Sequence, residues 1–277
     1  MDSARNFFIF TSGSFDEVVM KVTLVQSDPV WGDPAASLSR IEGNLKDSGM
    51  TDLIVLPEMF STGFVASPAG LAEEDTGSGE PESLGWMRKM AYERNCAVAG
   101  SLAFHHGGTY RNRFYFVFPD GKEVHYDKHH LFTYAGEHLR FTAGKERVIV
   151  RYRDFRILLQ VCYDLRFPAF SRNRMGPDGP EYDLILYVAS WPEPRIGAWD
   201  ALLRARAIEN LSYVAGVNRV GNDPKNRYPG HSVLLDYQGN ILSNCKENSQ
   251  DVVTFEILKS DLDSYRESFP ALLDADT

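Results

Sequence analysis

Residues 156–168 read RILLQVCYDLRFP, a short apolar run that ends at a cysteine. The run from Ile157 to Val161 is too short for a typical helix and is rich in branched side chains, so it predicts a buried strand. A second run of this kind, DLIVLPE at residues 52–58, ends at Glu58. In α/β proteins, functional groups commonly follow the carboxyl ends of strands. Cys162 and Glu58 are therefore the first candidates for a site.

Short apolar runs of this type recur along the chain. They occupy residues 20–25, 53–56, 97–104, 114–118, 157–161, 184–188, 213–217, 233–235 and 252–257. Amphipathic stretches separate several of them. Asp33 followed by Pro34 resembles a helix N-cap with proline at the first helical position, and Leu38, Ile41 and Leu45 then share one face. Interleaved strands and helices predict an α/β domain whose sheets are covered by helices.

Two further helices are predicted. One follows Pro81 and turns Leu84, Met87 and Ala91 to one side. The other runs from about residue 198 to residue 211. Four of its apolar side chains are expected to face the interior: Trp199, Leu202, Leu203 and Ile208. Three polar side chains remain for polar contacts: Arg204, Arg206 and Glu209.

The composition restricts the classes of function. With 277 residues and 43% hydrophobic content, the chain is long enough for one large α/β domain. Its formal charge of −9 disfavours nucleic acid or an anionic membrane as a partner, because both need clustered Lys and Arg. No apolar run approaches the roughly 18 residues of a membrane span. A small molecule is the expected partner.

The cysteines indicate where the protein is located, and the N-terminal residues indicate where its domain begins. Cys96, Cys162 and Cys245 form neither a disulfide ladder nor a CxxC pair, which is typical of a reducing compartment and predicts a cytoplasmic protein. Residues 1–19 lack the basic start and the cleavage site of a secretory signal. They also differ from the strand-like pattern that begins at Met20. We interpret residues 1–19 as an extension, residues 20–277 as a single domain, and Met20 as the natural start.

Three polar residues at strand ends have the chemistry that amide hydrolysis requires. That reaction needs a nucleophile, a proton acceptor and donor, and a cation near the oxyanion. Cys162, Glu58 and Lys128, the last in EVHYDKHHLF at residues 123–132, supply these groups. Each also has an ordinary interpretation: a small buried hydrophobe for Cys162, a helix cap for Glu58 and a solvated loop charge for Lys128. The residues alone leave both interpretations open.

Longer motifs around these residues resemble a known family. LPEMFSTGF at residues 56–64, YDKHHLF at 126–132 and VCYDLRFP at 161–168 are similar to the Glu, Lys and Cys motifs of the nitrilase (carbon-nitrogen hydrolase) superfamily. The similarity continues through GEHLRFTAG, ASWPEPR and LLRARAIENLSYVAGVNRVG and extends over residues 20–270. Within the superfamily the chain is most similar to bacterial ω-amidases, or 2-oxoglutaramate amidases. The resemblance implies a four-layer αββα sandwich of two mixed sheets with helices outside.

The resemblance also implies roles for individual residues. Glu58 would be the general base and acid, Lys128 would stabilise the tetrahedral intermediate, and Cys162 would attack the carbonyl. Glu137 would support the lysine, although a loop surface charge is its ordinary interpretation, and the backbone amide of Tyr163 would help to hold the oxyanion. The implied reaction converts 2-oxoglutaramate, and also 2-oxosuccinamate, to the 2-oxo acid and ammonia without a cofactor. The alternatives are another amidase, such as an N-carbamoyl amino-acid hydrolase, or a catalytically silent binding module.

A substrate carboxylate requires a cation or several hydrogen-bond donors. Arg166 and Arg195 are the candidates, and for Arg166 a structural ion pair with a buried carboxylate is the stronger interpretation. Five aromatic residues are candidates for the pocket wall: Phe60, Phe64, Tyr163, Trp191 and Trp199. From these sets we assign Phe64, Arg166, Trp191 and Arg195 to substrate binding.

Histidines raise the possibility of a metal site. His125 and His129 would share one face of a helix. However, the residues between them belong to the segment that resembles the Lys motif, which favours a turn or strand end, so no metal is expected. Members of the superfamily commonly form dimers. We expect a homodimer that uses the helix after Ala198 and the segment from Asp261.

Overall fold

The structure is a computed structural model that describes residues 18–74 and 80–275. Its strands are β1 Val19–Gln26, β2 Leu53–Val55, β3 Glu73–Glu74, β4 Ala97–His106, β5 Thr109–Val117, β6 Glu123–Asp127, β7 Ile149–Tyr152, β8 Phe155–Val161, β9 Met175–Gly176, β10 Gly179–Pro180, β11 Leu184–Ala189, β12 Tyr213–Asn218, β13 Val220–Asn222, β14 Arg227–Pro229, β15 Val233–Leu235, β16 Ile241–Asn244 and β17 Asp251–Leu258. Its helices are α1 Pro34–Leu45, α2 Glu82–Arg94, α3 Pro168–Ser171, α4 Ile196–Asn210 and α5 Lys259–Ser268. Helices are interleaved with groups of strands along the chain, as predicted.

The first sheet is mixed. Its strand order is β17-β1-β2-β4-β5-β6, with β3 pairing beside β4. Strands β1, β2 and β4 are parallel to one another, whereas β17, β5 and β6 run antiparallel to their neighbours. Successive side chains of a strand point to opposite faces. Accordingly, Met20, Val22 and Leu24 of β1 join one core and Val25 joins another.

The second sheet is also mixed, with strand order β16-β15-β12-β11-β8-β7. Its three central strands, β8, β11 and β12, are parallel. Parallel strands are usually buried on both faces, so their sequences are apolar throughout rather than alternating. The side chains of β11 and β12 are buried along their whole length, which explains the continuous runs LILYVA and YVAGVN.

The inner faces of the two sheets pack against each other. Ile157, Leu159 and Val161 of β8 share one core with residues of β1, whereas Leu158 points to the outside of its sheet. Helices α1 and α2 cover the outer face of the first sheet, and α4 covers the outer face of the second. The order helix, sheet, sheet, helix is the predicted αββα sandwich.

Helix α1 forms as the sequence predicted. Asp33 is its N-cap and accepts a hydrogen bond from the backbone N of Ala36 at 3.0 Å. Leu38, Ile41 and Leu45 are buried against the first sheet. The second predicted helix corresponds to α2, in which Leu84, Met87 and Ala91 are likewise buried.

Helix α4 corrects one part of the prediction. It begins at Ile196, and Trp199 and Leu203 are buried as expected, but Ile208 is 48% exposed. Nine residues after Trp199, Ile208 lies on roughly the opposite side of a helix of 3.6 residues per turn. The inward position belongs instead to Arg206, which is buried and donates to the backbone oxygen of Leu165 at 2.5 Å.

Strand boundaries differ from the predicted ones by one to several residues. β1 begins at Val19 rather than Met20, because Val19 pairs with Leu258 of β17. β5 begins at Thr109, five residues before the predicted start. The predicted N-terminal extension, except for its last two residues, lies outside the described residues. Within residues 18–74 and 80–275, no helix is both long enough and apolar enough to cross a membrane.

Candidate active site

The two sheets bring their strand ends together around one cluster of side chains. Glu58 lies three residues after β2, Lys128 directly after β6 and Cys162 directly after β8. Ser190 directly follows β11, and Glu137 begins a 3-10 turn, Glu137–Leu139. Residues that are far apart in the sequence thus meet at one end of the sandwich, as expected for strand-end groups.

Lys128 lies between two carboxylates. Its Nζ is 2.8 Å from Oε1 of Glu58 and 3.0 Å from Oε2 of Glu137. All three side chains are fully buried. Glu137 is also held by the backbone N of Phe132, which donates to Oε2 at 2.6 Å. The surface-charge interpretation of Glu137 is therefore wrong, and so is the solvated-charge interpretation of Lys128.

The carboxylate of Glu58 is fixed from several sides. Oε1 accepts from Nδ2 of Asn112 at 2.7 Å as well as from Lys128, and Oε2 accepts from the backbone N of Ser190 at 2.9 Å. The hydroxyl of Ser190 donates to the backbone oxygen of Glu58 at 3.3 Å. These contacts fix the position of the Glu58 carboxylate from several directions.

Cys162 occupies a sharp turn at the end of β8. Its φ of 46° is in the left-handed region, which is strained for a residue with a side chain, and the 3-10 turn Cys162–Arg166 starts there. Its side chain is partly exposed and lines the same cavity as Glu58 and Lys128. Tyr163 is the second residue of this turn, where backbone N–H groups have no intrahelical acceptor.

Asp164 ties the cysteine turn to the lysine segment. Its buried carboxylate accepts from the backbone N of Val161 at 3.0 Å and from the hydroxyl of Tyr126 at 2.8 Å. It also accepts from the backbone N of His130 at 2.9 Å, and Nδ1 of His130 lies 2.8 Å from Oδ1. One side chain thereby holds residues on both sides of Lys128 and the residue before Cys162.

Burial and neighbouring charges together shift the pKa values of Lys128 and Cys162. Burial alone would lower the pKa of Lys128, but the Glu137 and Glu58 carboxylates outweigh it, and the net shift is upward. For Cys162, burial first and then the Glu58 charge raise the pKa of the thiol, and Lys128 opposes them only in part. The upward shift favours the thiol form of Cys162 over the thiolate.

A cavity of about 640 Å³ opens over this cluster. Glu58, Lys128 and Cys162 all line it. The predicted wall residues Phe64, Tyr163 and Trp191 line it as well. The cavity has the size of a small-molecule site.

Two arginines face the same cavity. The Arg166 guanidinium lies 4.9 Å from the ring centroid of Trp191, and that of Arg195 lies 5.4 Å from the ring centroid of Phe132 and 5.7 Å from that of Tyr134. Within the described part of the chain, neither arginine forms an ion pair. The stronger interpretation of Arg166, a structural ion pair, is therefore wrong, and both charges remain available to an anionic ligand.

Other candidate residues lie elsewhere. Phe60 and Trp199 are fully buried in the two sheet–helix cores and do not line the cavity. His125 lies on strand β6 and His129 follows it, so the helical arrangement does not occur. Among the described residues, no three His, Cys, Asp or Glu side chains form a group that could hold a metal ion.

Sequence reasoning missed two residues of the cluster, Asn112 and Asp164. Asn112 precedes the apolar run from which the strand was predicted, so its place on β5 was not recognised. Asp164 stands in the cysteine motif, and an acidic residue three positions after a strand end is the signal that could have identified it. Ser190 contributes through its backbone and hydroxyl contacts with Glu58.

Comparison with known proteins assigns the family. The family model for carbon-nitrogen hydrolases matches residues 21–267. The chain belongs to the carbon-nitrogen hydrolase family. The resemblance drawn from the three motifs is thereby confirmed.

Two proteins that are similar to this carbon-nitrogen hydrolase are named as amidases. Omega-amidase YafV of Yersinia enterocolitica is 45% identical over 258 residues, which cover 93% of this chain and 97% of the relative. The 2-oxoglutaramate amidase of Bacillus subtilis is 32% identical over 257 residues, with 91% and 96% covered. The chain is therefore similar to amidases along nearly its whole length.

Solved structures agree with the fold. A CN-hydrolase superfamily protein from Xanthomonas campestris, with an arsenic adduct in its active site, has a TM-score of 0.89 and 40% identity, covering 94% of this chain and 98% of that one. Nit3 of Saccharomyces cerevisiae, a member of the nitrilase superfamily, has a TM-score of 0.80 and 22% identity, with 91% and 94% covered. The αββα architecture of the carbon-nitrogen hydrolase is shared with both.

Proposed function

We propose that this carbon-nitrogen hydrolase is an ω-amidase that hydrolyses 2-oxoglutaramate, and also 2-oxosuccinamate, to the 2-oxo acid and ammonia. The observation that carries the proposal is the buried cluster of Glu58, Lys128 and Glu137, which faces a cavity together with Cys162 and two arginines without ion pairs among the described residues. The names of the relatives from Yersinia enterocolitica and Bacillus subtilis support the substrate.

In the first half of the reaction, Glu58 removes the thiol proton while the sulfur of Cys162 attacks the amide carbon. The carbonyl oxygen becomes an oxyanion, which Lys128 and the backbone N–H of Tyr163 stabilise. The intermediate collapses, and the carbon–nitrogen bond breaks. Glu58 returns the proton to the departing nitrogen, so that ammonia leaves and a thioester to Cys162 remains.

In the second half, water replaces ammonia. Glu58 takes a proton from the water as its oxygen attacks the thioester carbon, and the same donors hold the second oxyanion. The carbon–sulfur bond then breaks, the carboxylic acid is released, and Cys162 regains its proton. Like Glu58, Glu137 forms an ion pair with Lys128, and it keeps the Lys128 side chain in place through both halves of the reaction.

The substrate carboxylate would meet Arg166 and Arg195. Each guanidinium rests against an aromatic ring, which restricts its motion and leaves its N–H groups free for a carboxylate. Phe64 and Trp191 would contact the carbon chain between the two ends of the substrate. The two ends would thus be distinguished by charge: the amide at Cys162 and the carboxylate at the arginines.

The assembly and location are part of the same proposal. We infer a single domain at residues 20–277, a cytoplasmic location, and a homodimer formed through α4 and the segment from Asp261. A small-molecule amide is the proposed partner, and the mechanism uses no cofactor. The net charge of −9 remains the argument against nucleic acid and anionic membranes as partners.

The decisive experiment is ammonia release from 2-oxoglutaramate, measured beside an N-carbamoyl amino acid and a neutral amide of equal length. We expect rapid release from the oxo-amide, slow release from the neutral amide, and none from Cys162→Ala. Cys96→Ala is the matched control, because Cys96 lies in the α2 core away from the cavity.

Three results would contradict the proposal, each in a different part. Faster release from the N-carbamoyl compound would replace the ω-amidase assignment with that of an N-carbamoyl amino-acid hydrolase. Absence of turnover with every amide would favour a silent binding module. Full activity of Cys162→Ala would contradict the proposed nucleophile.

A further inference from the structure

Asn112 lies between the two carboxylates of the cluster, yet the proposed mechanism does not use it. It is 1% exposed. Its Nδ2 donates to Oε1 of Glu58 at 2.7 Å and to Oε1 of Glu137 at 3.1 Å. One amide group therefore bridges two side chains that would otherwise repel each other.

The backbone of Asn112 contacts the third member of the cluster. The backbone N of Lys128 donates to the backbone oxygen of Asn112 at 2.9 Å. This bond extends the β5–β6 ladder by one residue beyond the pair Arg113 and Asp127. Asn112 thus fixes the start of the lysine side chain through its backbone and both carboxylates through its side chain.

The orientation of the amide follows from charge. With Nδ2 toward the carboxylates, Oδ1 of Asn112 has no hydrogen-bond partner among the described residues. The opposite orientation would place a carbonyl oxygen against two carboxylates, which is worse than one unpaired oxygen. The Asn112 amide thus donates from Nδ2 to both carboxylates and leaves its oxygen unpaired. This pattern indicates that the side chain is buried here to donate hydrogen bonds.

We infer that Asn112 is a positioning residue that keeps Glu58 and Glu137 ionised together beside a single lysine. Two carboxylates near one cation would otherwise favour the binding of a proton. A neutral amide favours the charged forms and takes no part in proton transfer itself. The inference rests on the proposed role of Glu58 as a base, which requires it to be ionised before substrate binds.

The other ionisable groups near these carboxylates are few in the described part of the chain. Lys128 from the end of β6 favours their ionisation. Cys162 from the end of β8 and Tyr228 from β14 interact with Glu58. Burial and nearby carboxylates raise the pKa of Tyr228, so its hydroxyl stays neutral over the pH range of the activity profile. The ionisable neighbours of the two carboxylates are therefore a lysine, a thiol and a phenol.

The test is the pH dependence of kcat/KM for 2-oxoglutaramate in Asn112→Ser, Asn112→Ala and Asn112→Asp. Removal of a donor to a charged carboxylate raises its pKa, so in Asn112→Ala the acid limb should move upward by about one pH unit. Asn112→Asp should move it further, because it adds a like charge. Asn112→Ser keeps one donor and should lie between wild type and Asn112→Ala.

Asn173→Ala is the matched control. Asn173 is equally buried, and its Nδ2 donates to the backbone oxygens of Tyr182 and Asn210 at 2.9 and 3.0 Å. Because it is not among the residues that line the cavity, its truncation should lower Tm and leave the acid limb in place. The inference would be overturned if all three Asn112 variants kept the acid limb at the wild-type pH and showed only a lower maximum of kcat/KM.

Alkylation of Cys162 by iodoacetamide senses the charge of Glu58 without any substrate, and it can be followed by mass spectrometry. If wild type released no ammonia from any amide, the proposed function would be wrong. Even then, a pH profile of alkylation that shifts progressively from wild type through Asn112→Ser and Asn112→Ala to Asn112→Asp would support Asn112 as the residue that keeps the carboxylates charged. An unshifted profile would refute this role.

Discussion

Lys128 is a fully buried ammonium group that is compensated only by the side chains packed around it. Its two carboxylate partners lie 2.8 and 3.0 Å away. Removal of one partner from a buried charged cluster leaves uncompensated charge, which typically costs about 3–5 kcal/mol. The residue that is proposed to stabilise the oxyanion is therefore also important for the folded state.

We predict that Lys128→Ala lowers both turnover and stability. Turnover should fall by at least a factor on the order of 10² to 10³, the loss typical for one oxyanion donor. The unfolding midpoint in urea should fall as well, because Glu58 and Glu137 would face each other without a cation. Glu137→Gln should retain part of the activity. Wild-type turnover of Lys128→Ala would contradict the proposed role of the lysine.

A second prediction concerns Cys162 and its neighbour. Burial and then the Glu58 charge raise the pKa of the thiol. Because Glu58→Gln removes the second of these causes, it should shift the midpoint of the Cys162 alkylation rate to lower pH while amide hydrolysis is lost. Mass spectrometry after short iodoacetamide pulses provides the measurement.

Cys96 and Cys245 are internal controls for this alkylation. Burial raises the pKa of Cys96 to about 11 and that of Cys245 to about 12, and both are buried in the core. They should react far more slowly than Cys162 at every pH below 9. An unchanged or upward-shifted midpoint in Glu58→Gln would show that the carboxylate does not control the thiol.

At the scale of elements, the approach of α4 to β12 requires a glycine. A Cβ added at Gly216 would lie 2.4 Å from Cδ1 of Leu203 and 3.0 Å from Cζ2 of Trp199. Both side chains are fully buried, so they have little room to move. The distance between helix and sheet in this layer is therefore set by the absence of a side chain at Gly216.

We predict that Gly216→Ala destabilises the protein by about 1–3 kcal/mol, the usual cost of overpacking a core. Gly43→Ala is the matched control. Gly43 lies in α1, and a Cβ there meets nothing within 4 Å, so the change should be neutral or stabilising by up to about 1 kcal/mol. Urea midpoints measure both. Equal midpoints for the two variants would mean that the α4 layer is not closely packed.

The sequence predicted elements more reliably than their boundaries. The apolar runs identified the long strands, because burial on both faces leaves a continuous signal, and the Asp33-Pro34 pair identified the start of α1. The same signal fails where a strand continues beyond its apolar part. Asn112 lies on β5 but outside the run that begins at Phe114, and hydrophobicity alone could not reveal it.

The candidate site was predictable in part for the same reason. Motif resemblance identified Glu58, Lys128 and Cys162, which lie within three residues of strand ends. The contacts of Asn112 and Asp164 depend on which strands are neighbours, and a single sequence does not specify that pairing. The burial of Ile208 was predicted incorrectly, since one apolar residue on the outer side of a helix is compatible with a folded protein.

At the scale of the whole molecule, exposed apolar side chains lie where the dimer contact is expected. Ile208 of α4 is 48% exposed and Phe269, which follows α5, is 54% exposed. We predict that light scattering at micromolar concentration gives the mass of a dimer and that Ile208→Asp shifts it toward the monomer. Met50→Asp is the control, because Met50 is 86% exposed and lies after α1. A wild-type protein that scatters strictly as a monomer would contradict the proposed assembly.

The pairing of β1 with β17 has a consequence for biosynthesis. β1 pairs with β17 along all of Val19–Gln26, whereas its other neighbour, β2, pairs with only three of its residues. The ribosome produces every residue of the active-site cluster before it produces Asp251–Leu258. A nascent chain at that moment carries all the proposed catalytic groups, yet β1 has an open edge that can pair with another chain. Translation arrest or nonsense mutation late in the gene would therefore yield aggregates rather than a shortened, active enzyme.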